Sequence, residues 1–421
     1  MRMTGGPFEL MARLLSHGCS SSMLKPDTLA LTVVLALLTA LGPLSTDMYL
    51  PSLPAIAASF GASTGQAQLT LSAFLFGFAA GQFFYGPISD RVGRKPVLLF
   101  GLGLYVMATL VCALAPNIET LIGARFLQAL GASGPIVLGR AIVRDFYEGA
   151  RAGRELSRMG TIMGVVPAIA PVLGGLIAQF YQWRATFGVM ILCGLALAVT
   201  VLLRLPESIR KKSETPISFG SILKGFGFLL KHPGYRTYIG LSMLTYGGLF
   251  AFISGSSFVL QGIYRLDELH FAFSFAFMVV GYIGGTTLAQ RLVGSRGLDG
   301  TIRFGVTSLA VGGSLMLVLV LAGVPSSFAV TGPMAIYALG VGLTMPQSMA
   351  SALMPFPDRA GAASSLLGIC QMTFAAVLGI VLGQNLGASA VPLPATIATT
   401  GVLAFVVFMA TGSVRRGDRQ H

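Results

Sequence analysis

Gly86–Pro96, GPISDRVGRKP, is the stretch around which the rest of the chain falls into order. It packs Asp90, Arg91, Arg94 and Lys95 between two long runs that contain no Asp, Glu, Lys or Arg, Met48–Ser89 and Pro96–Ile118. A helix needs about 20 apolar residues to cross hydrocarbon, so each run is long enough. Gly86 and Gly93 allow the chain to reverse sharply between them. Asp90, at a helix end among cations, can hold one conformation by charge pairing. The same punctuation recurs along the chain. Charge-free runs cover Thr28–Thr46, Phe126–Gly139, Met159–Trp183, Ala185–Leu203, Thr237–Tyr264, Leu269–Gln290, Phe304–Pro357 and Ala360–Val414. The last two hold a pair of spans each, broken near Gly323–Ser327 and Gln384–Pro392. Met48–Ser89 completes the first span and supplies the second. The reading is an all-α polytopic membrane protein with twelve transmembrane helices in two six-helix pseudo-repeat bundles. Strands are excluded, because open sheet edges cannot be satisfied in lipid and the runs are too long for barrel strands.

Composition agrees. Of 421 residues, 54% are apolar and 10% charged, against about 25% charged in a soluble domain. That excludes a water-soluble enzyme, and disorder as well. The net charge of +13 would suit nucleic acid if it were clustered on a soluble face. Instead the cations fall in alternate loops: after the second span, in Arg144–Arg158 after the fourth, in Arg204–Arg236 after the sixth, in Arg291–Arg303 after the eighth, at Arg359, and at Arg415–Arg419. By the positive-inside rule these loops and both termini are cytosolic, and no nucleic acid is expected.

The segments divide as 1–27, a cytosolic tail; 28–204, the first bundle; 205–236, a cytosolic linker; 237–412, the second bundle; and 413–421, a second tail. The first 27 residues lack a continuous apolar core, so no cleaved signal peptide is expected. Within the linker Phe219, Ile222, Leu223, Phe226, Leu229 and Leu230 recur at helical spacing, which suggests an interfacial amphipathic helix. A faint echo between RAGRELSR at Arg151 and RAGAASSL at Arg359 supports duplication. Two such halves imply a substrate site at their interface, near the midplane.

No chemistry of an enzyme is visible. There is no Gly-Lys dipeptide, hence no P-loop, and no HExxH or GxSxG. Cys19, Cys112, Cys193 and Cys370 have neither metal nor redox spacing. No cofactor and no metal are expected, and the energy source left is an ion gradient. An ionisable residue inside a span is then the functional candidate. Asp47 is the sole acid between Thr28 and Ser89, roughly 27 Å along a helix from Leu29 at 1.5 Å per residue; it reads either as a proton-carrying cavity carboxylate or as an acid of the outer interface. Arg125, inside the fourth span, is either a snorkelling cation or a buried guanidinium that competes with a proton for a carboxylate. Gln128 shares its face at i+3.

At this point the residues resemble a known family. GPISDRVGRKP resembles the loop signature of the major facilitator superfamily, and RFLQALGAS, Arg125–Ser133, resembles its fourth-helix motif. VVPAIAPVLGG, Val165–Gly175, is similar to the fifth-helix motif of its antiporters, with Ala170 in place of the usual glycine. STDMYLPSLP, FAFISGSSFVLQ and FPDRAGAASSL are similar to the Bcr/CflA branch of bicyclomycin and chloramphenicol exporters. The resemblance implies a bacterial inner-membrane, proton-driven drug antiporter. It assigns proton coupling to Asp47 and Arg125, and a cytosolic gate to Gly86, Asp90, Arg91, Gly93 and Arg94. The antiporter motif falls on Pro167, Pro171, Gly174 and Gly175. Some multidrug relatives carry a second acid in the first helix; Thr39 stands there in this chain. Tyr49, Tyr246, Phe250 and Phe252, with Gln128, are expected to line the substrate cavity. The partners expected are a small-molecule drug, a proton and the bilayer, with no obligate protein partner and a monomeric state. Export of a native metabolite such as an amino acid is the alternative, and uptake by symport a further one.

Overall fold

The computed structural model describes residue 24 and residues 28–147, 149–209, 219–356, 359–387 and 389–417. Most of the expected 1–27 tail, linker residues Arg210, Lys211, Lys212 and Pro216, and tail residues 418–421 lie outside the described residues.

Among the described residues eleven helices are long and apolar enough to cross a membrane. The longest, Glu268–Leu321, runs for 54 residues and is broken by non-helical geometry at Gly297, φ 69°. It therefore supplies the eighth and ninth spans, and the total is twelve. The first span is Leu29–Phe60, followed by Thr64–Val92, Arg94–Leu114, Ile118–Phe146, Arg151–Tyr181 and Trp183–Arg204. After the linker come Pro233–Ile263, the two arms of the long helix, Phe328–Leu353, Ala360–Asn385 and Pro392–Ala410. This is an all-α polytopic membrane protein built as two six-helix bundles. The linker also contains the helix Phe219–Lys231.

Local chemistry sets the ends. Thr28 caps the first helix, its Oγ1 accepting from the Leu31 N–H at 3.3 Å. Ser63 and Gln66 form a reciprocal capping box at the second, which satisfies two first-turn donors. Asn117 and Asp267 accept from Thr120 and His270 N–H groups at 2.8 and 2.7 Å. The breaks expected near Gly323–Ser327 and Gln384–Pro392 fall between Leu321 and Phe328 and between Asn385 and Pro392.

Two segments are more helical than the sequence suggests. Gly86–Pro96 reads as a loop, yet helix continues through Pro87 to Val92 and resumes at Arg94. Gly93 alone makes the turn, with φ 122°, a conformation natural only to glycine. The loop expected around Arg291–Arg303 is likewise helix bent at Gly297. The linker forms the helix that its apolar spacing suggests, Phe219–Lys231, and its apolar residues split between two environments. Leu229 is buried, whereas Leu223, Phe228 and Leu230 are exposed.

The bundles meet through the second span against the eleventh and the fifth against the eighth. Exposed large apolar side chains such as Phe100, Leu114, Leu192 and Val280 stud the perimeter, as a lipid-facing surface requires. Phe271 and Phe275 are buried while Phe273 and Phe277 are exposed, so period-two aromatics on a helix sort into inner and outer pairs.

Candidate transport site

The first helix stops at Asp47 because the next residues cannot continue it cleanly. Pro51 and Pro54 lack amide donors, and a short 3-10 turn, Leu50–Ser52, intervenes before helix resumes at Leu53. Asp47 is therefore at a break in the span, 5% exposed. Its carboxylate accepts from Thr46 Oγ1 at 3.1 Å.

Arg125 is fully buried. Its Nη1 donates to the Ser45 carbonyl at 3.1 Å and to Gln128 Oε1 at 2.6 Å. Gln128 Nε2 in turn donates to Thr109 Oγ1 at 2.9 Å. The guanidinium lies 4.5 Å from the Tyr49 ring centroid and 4.3 Å from that of Phe74, a cation–π sandwich worth up to about 2 kcal/mol per desolvated ring. Tyr49 is oriented by its hydroxyl contact with Thr70, 2.9 Å. Arg125 Nε and Nη2 have no hydrogen-bond partner. Arg125 and Asp47 form no ion pair among the described residues. The sequence suggests direct stabilisation of one by the other; here the arginine instead grips the backbone two residues before the acid.

Around this level the halves are packed shut. Pro171, Gly174 and Gly175 are buried and Pro167 half-buried on the fifth span. A Cβ on Gly174 would run into the Met48 carbonyl, and one on Gly175 would come within 2.9 Å of the Glu268 carbonyl. Glycine is thus required by the close approach of three spans. Gln68 Nε2 donates to the Ser254 carbonyl at 3.0 Å and Gln261 Nε2 to the Pro51 carbonyl at 3.1 Å, and both bonds cross between the halves. Phe250 and Phe252 are buried here. Phe250 stacks with the half-buried Tyr246 at 6.4 Å, and Phe252 packs against Phe275 at 6.1 Å.

At the basic end the halves part around a cavity of about 760 Å³. Its walls include Thr39, Gln82, Gly86, Asp90 and Arg94 from the first bundle, Phe226 from the linker helix, and Met349 and Ser365 from the second bundle. Tyr49, Gln128, Tyr246, Phe250 and Phe252 are not in this lining. They lie in the closed layer beyond it.

The gate candidates form a network within the first bundle and the start of the linker. Arg94 pairs with Asp90 at 2.5 Å and with Asp145 at 3.0 Å, and Nη1 donates to Ser89 Oγ at 2.6 Å. Ser208 Oγ donates to Asp145 at 2.7 Å. Glu207 accepts from the N–H groups of Arg94 and Lys95 at 2.9 and 3.2 Å, capping the third span where Gly93 has no side chain to do so. Arg91 is exposed. Asp145, Glu207 and Ser208 escape a reading of the sequence alone. The available signal was that Asp145 ends a span and that Glu207 is an acid among linker cations.

The Major Facilitator Superfamily profile matches residues 35–380. An uncharacterised MFS-type transporter of Bacillus subtilis is 34% identical over 93% of this chain and 98% of its own. A bicyclomycin resistance protein homolog of Haemophilus influenzae is 30% identical over 91% and 96%. Among solved structures, a D-xylose-proton symporter superposes with TM-score 0.73 at 15% identity, covering 90% of this chain and 96% of the other, a likeness of fold alone. The relatives are transporters rather than enzymes, drug-resistance proteins among them. With twelve spans in two bundles, an open cavity on one side and a closed layer on the other, the chain belongs to the Major Facilitator Superfamily.

Proposed function

We propose that the protein is a proton-driven exporter of small amphiphilic antimicrobial compounds, working by alternating access in the bacterial inner membrane with its basic loops and both termini in the cytosol. The observation that carries this reading is a buried carboxylate, Asp47, at a helix break in the closed layer, with a cavity at the basic end of the same interface. The kinship with a bicyclomycin resistance homolog supports drug export over export of a native metabolite.

In this scheme the cavity loads drug from the cytosolic side. Rearrangement of the halves opens the layer around Asp47 to the other side, where a proton replaces the drug. Asp47 carries that proton back as the layer closes. Arg125 acts through the Ser45 carbonyl, so that its position follows the last turn of the first helix, and its unpartnered Nε and Nη2 can receive a carboxylate when that turn moves. Asp90, Gly93 and Arg94, with Gly86 and Arg91 beside them, form the cytosolic gate. Pro167, Pro171, Gly174 and Gly175 let the fifth span approach its neighbours and seal the far side. Tyr49, Gln128, Tyr246, Phe250 and Phe252 become drug-contacting once that layer opens.

The energetics suffice. A proton crossing ~180 mV supplies roughly 4 kcal/mol, and about 1.4 kcal/mol is a factor of ten. One proton can therefore sustain about a thousandfold gradient of a neutral drug. The test is expression in a host deleted for its own pumps. The inhibitory concentration of bicyclomycin or chloramphenicol should rise, and the rise should vanish with an uncoupler. If no compound in a broad panel changes while the protein is present in the membrane, metabolite export takes its place.

A further inference from the structure

The cavity at the basic end holds charge that the gate network does not use. Arg140 and Arg144 line it, one helical turn apart on the fourth span, and both are open to it. Like charges at i,i+4 repel. Neither side chain has a hydrogen bond or ion pair among the described residues, whereas Arg94 beside them has two carboxylates. The carboxylate in the lining, Asp90, is already engaged by Arg94. Among the described residues the opposite wall offers no compensating acid. It contributes Ser364 and Ser365 and the first residues of the eleventh span, whose N-terminus has no side-chain cap at Arg359 and so presents free N–H groups and the positive end of a helix dipole. The remaining wall is mostly apolar, with Phe83, Met159 and Phe226 close by and Thr39 and Gln82 as its polar members.

We propose that this cavity binds an amphiphilic organic anion, its carboxylate or sulfonate held between Arg140 and Arg144 and its apolar body laid against Phe83, Met159 and Phe226. The proposal names the substrate class of the exporter and rests on that reading. Guanidinium forks suit an oxyanion, which they can engage through paired N–H donors to two of its oxygens. Two guanidiniums without an ion-pair partner among the described residues also bar a cation, so hydrophobic cations are the class this cavity refuses. A phospholipid headgroup offers the same anionic chemistry from another source, and the test separates the two.

The full-length protein is placed in phosphatidylcholine nanodiscs, and equilibrium binding is measured for fusidate, a steroid carboxylate, for neutral chloramphenicol, and for tetraphenylphosphonium. Fusidate should bind at least about tenfold tighter than tetraphenylphosphonium. In an Arg140→Gln/Arg144→Gln variant the ratio of fusidate to chloramphenicol affinity should fall at least about tenfold, with Arg140→Lys intermediate. Should the double variant not fold, the single Arg144→Gln and the wild-type preference decide. Equal binding of fusidate and the cation, or an unchanged ratio in the variants, overturns the proposal. So does loss of wild-type fusidate binding when phosphatidylglycerol is added, since the occupant is then a lipid headgroup. Failure of the efflux reading would be visible separately, as fusidate binding in nanodiscs with no drug resistance in cells.

Discussion

The two ends of this transporter are held by different physics. At the closed layer the halves touch through glycine and backbone, Gly174 against Met48 and Gly175 against Glu268, with neutral amide bonds from Gln68 and Gln261 crossing between them. At the basic end the strong bonds are ionic and stay within one bundle and the linker residues that follow it, Asp90–Arg94–Asp145 and Glu207 on the third-span terminus. The second bundle repeats the pattern: Arg415 pairs with Asp299 at 2.7 Å, and the Tyr238 hydroxyl donates to the same carboxylate at 2.8 Å. Charges make each half rigid at its basic face. Shape closes the far side, and a seal made of shape with few bonds opens without breaking an ion pair. Neutral hydrogen bonds are worth about 1 kcal/mol net each, a cost within reach of a single proton's ~4 kcal/mol.

The largest effect expected from breaking this contrast is at the buried acid. Asp47→Asn should reduce drug accumulation against a gradient to background at any pH, while downhill exchange survives; uptake into inverted vesicles with and without a pH gradient reads both. Next is the seal. Gly174→Val places side-chain atoms in the Met48 carbonyl and should lower transport by about tenfold or more, through overpacking of about 1–3 kcal/mol. Cysteine labelling at Ser52 should then show the closed layer reached from both sides.

Much of this contrast is legible in the sequence, and the boundary has physical causes. Charge-free length fixes the spans, because the bilayer sets one length scale for all of them. Asp47 and Arg125 stand out because a charge in an apolar run is rare. What resists is anything that depends on partners distant in the chain. That Arg94 meets Asp145 and Glu207, that Phe226 of the linker reaches the cavity, and that Arg125 grips Ser45 rather than Asp47 follow from how helices are set against each other. Hydropathy does not encode that. The turn at Gly86–Pro96 is narrower than expected because one glycine at φ 122° suffices.

Smaller effects sharpen the comparison. Arg125→Lys keeps the charge but loses the guanidinium whose Nη1 reaches Ser45 and Gln128 while its carbon lies over the Tyr49 and Phe74 rings. Turnover should fall by about tenfold, in keeping with the distinct geometry of arginine, with substrate affinity less affected. Asp90→Asn removes a half-exposed partner of Arg94 and leaves Asp145 in place. A shift of about 1 kcal/mol or less is expected for such a pair, read as a few-fold drop in turnover and altered cysteine accessibility at the basic end. Unchanged accessibility would return Asp90 to a role in topology alone. Gln261→Ala removes one neutral bond across the halves, and its effect on transport should stay within about fivefold.

The most direct test of the account is drug-driven proton movement in liposomes that contain the purified protein and a pH-sensitive dye. Adding an exported drug to the wild type should move protons in opposition to the drug. Asp47→Asn should move none, although the drug still binds. If Asp47→Asn moves protons with drug at the wild-type ratio, Asp47 is not the coupling group, and the account fails at its centre.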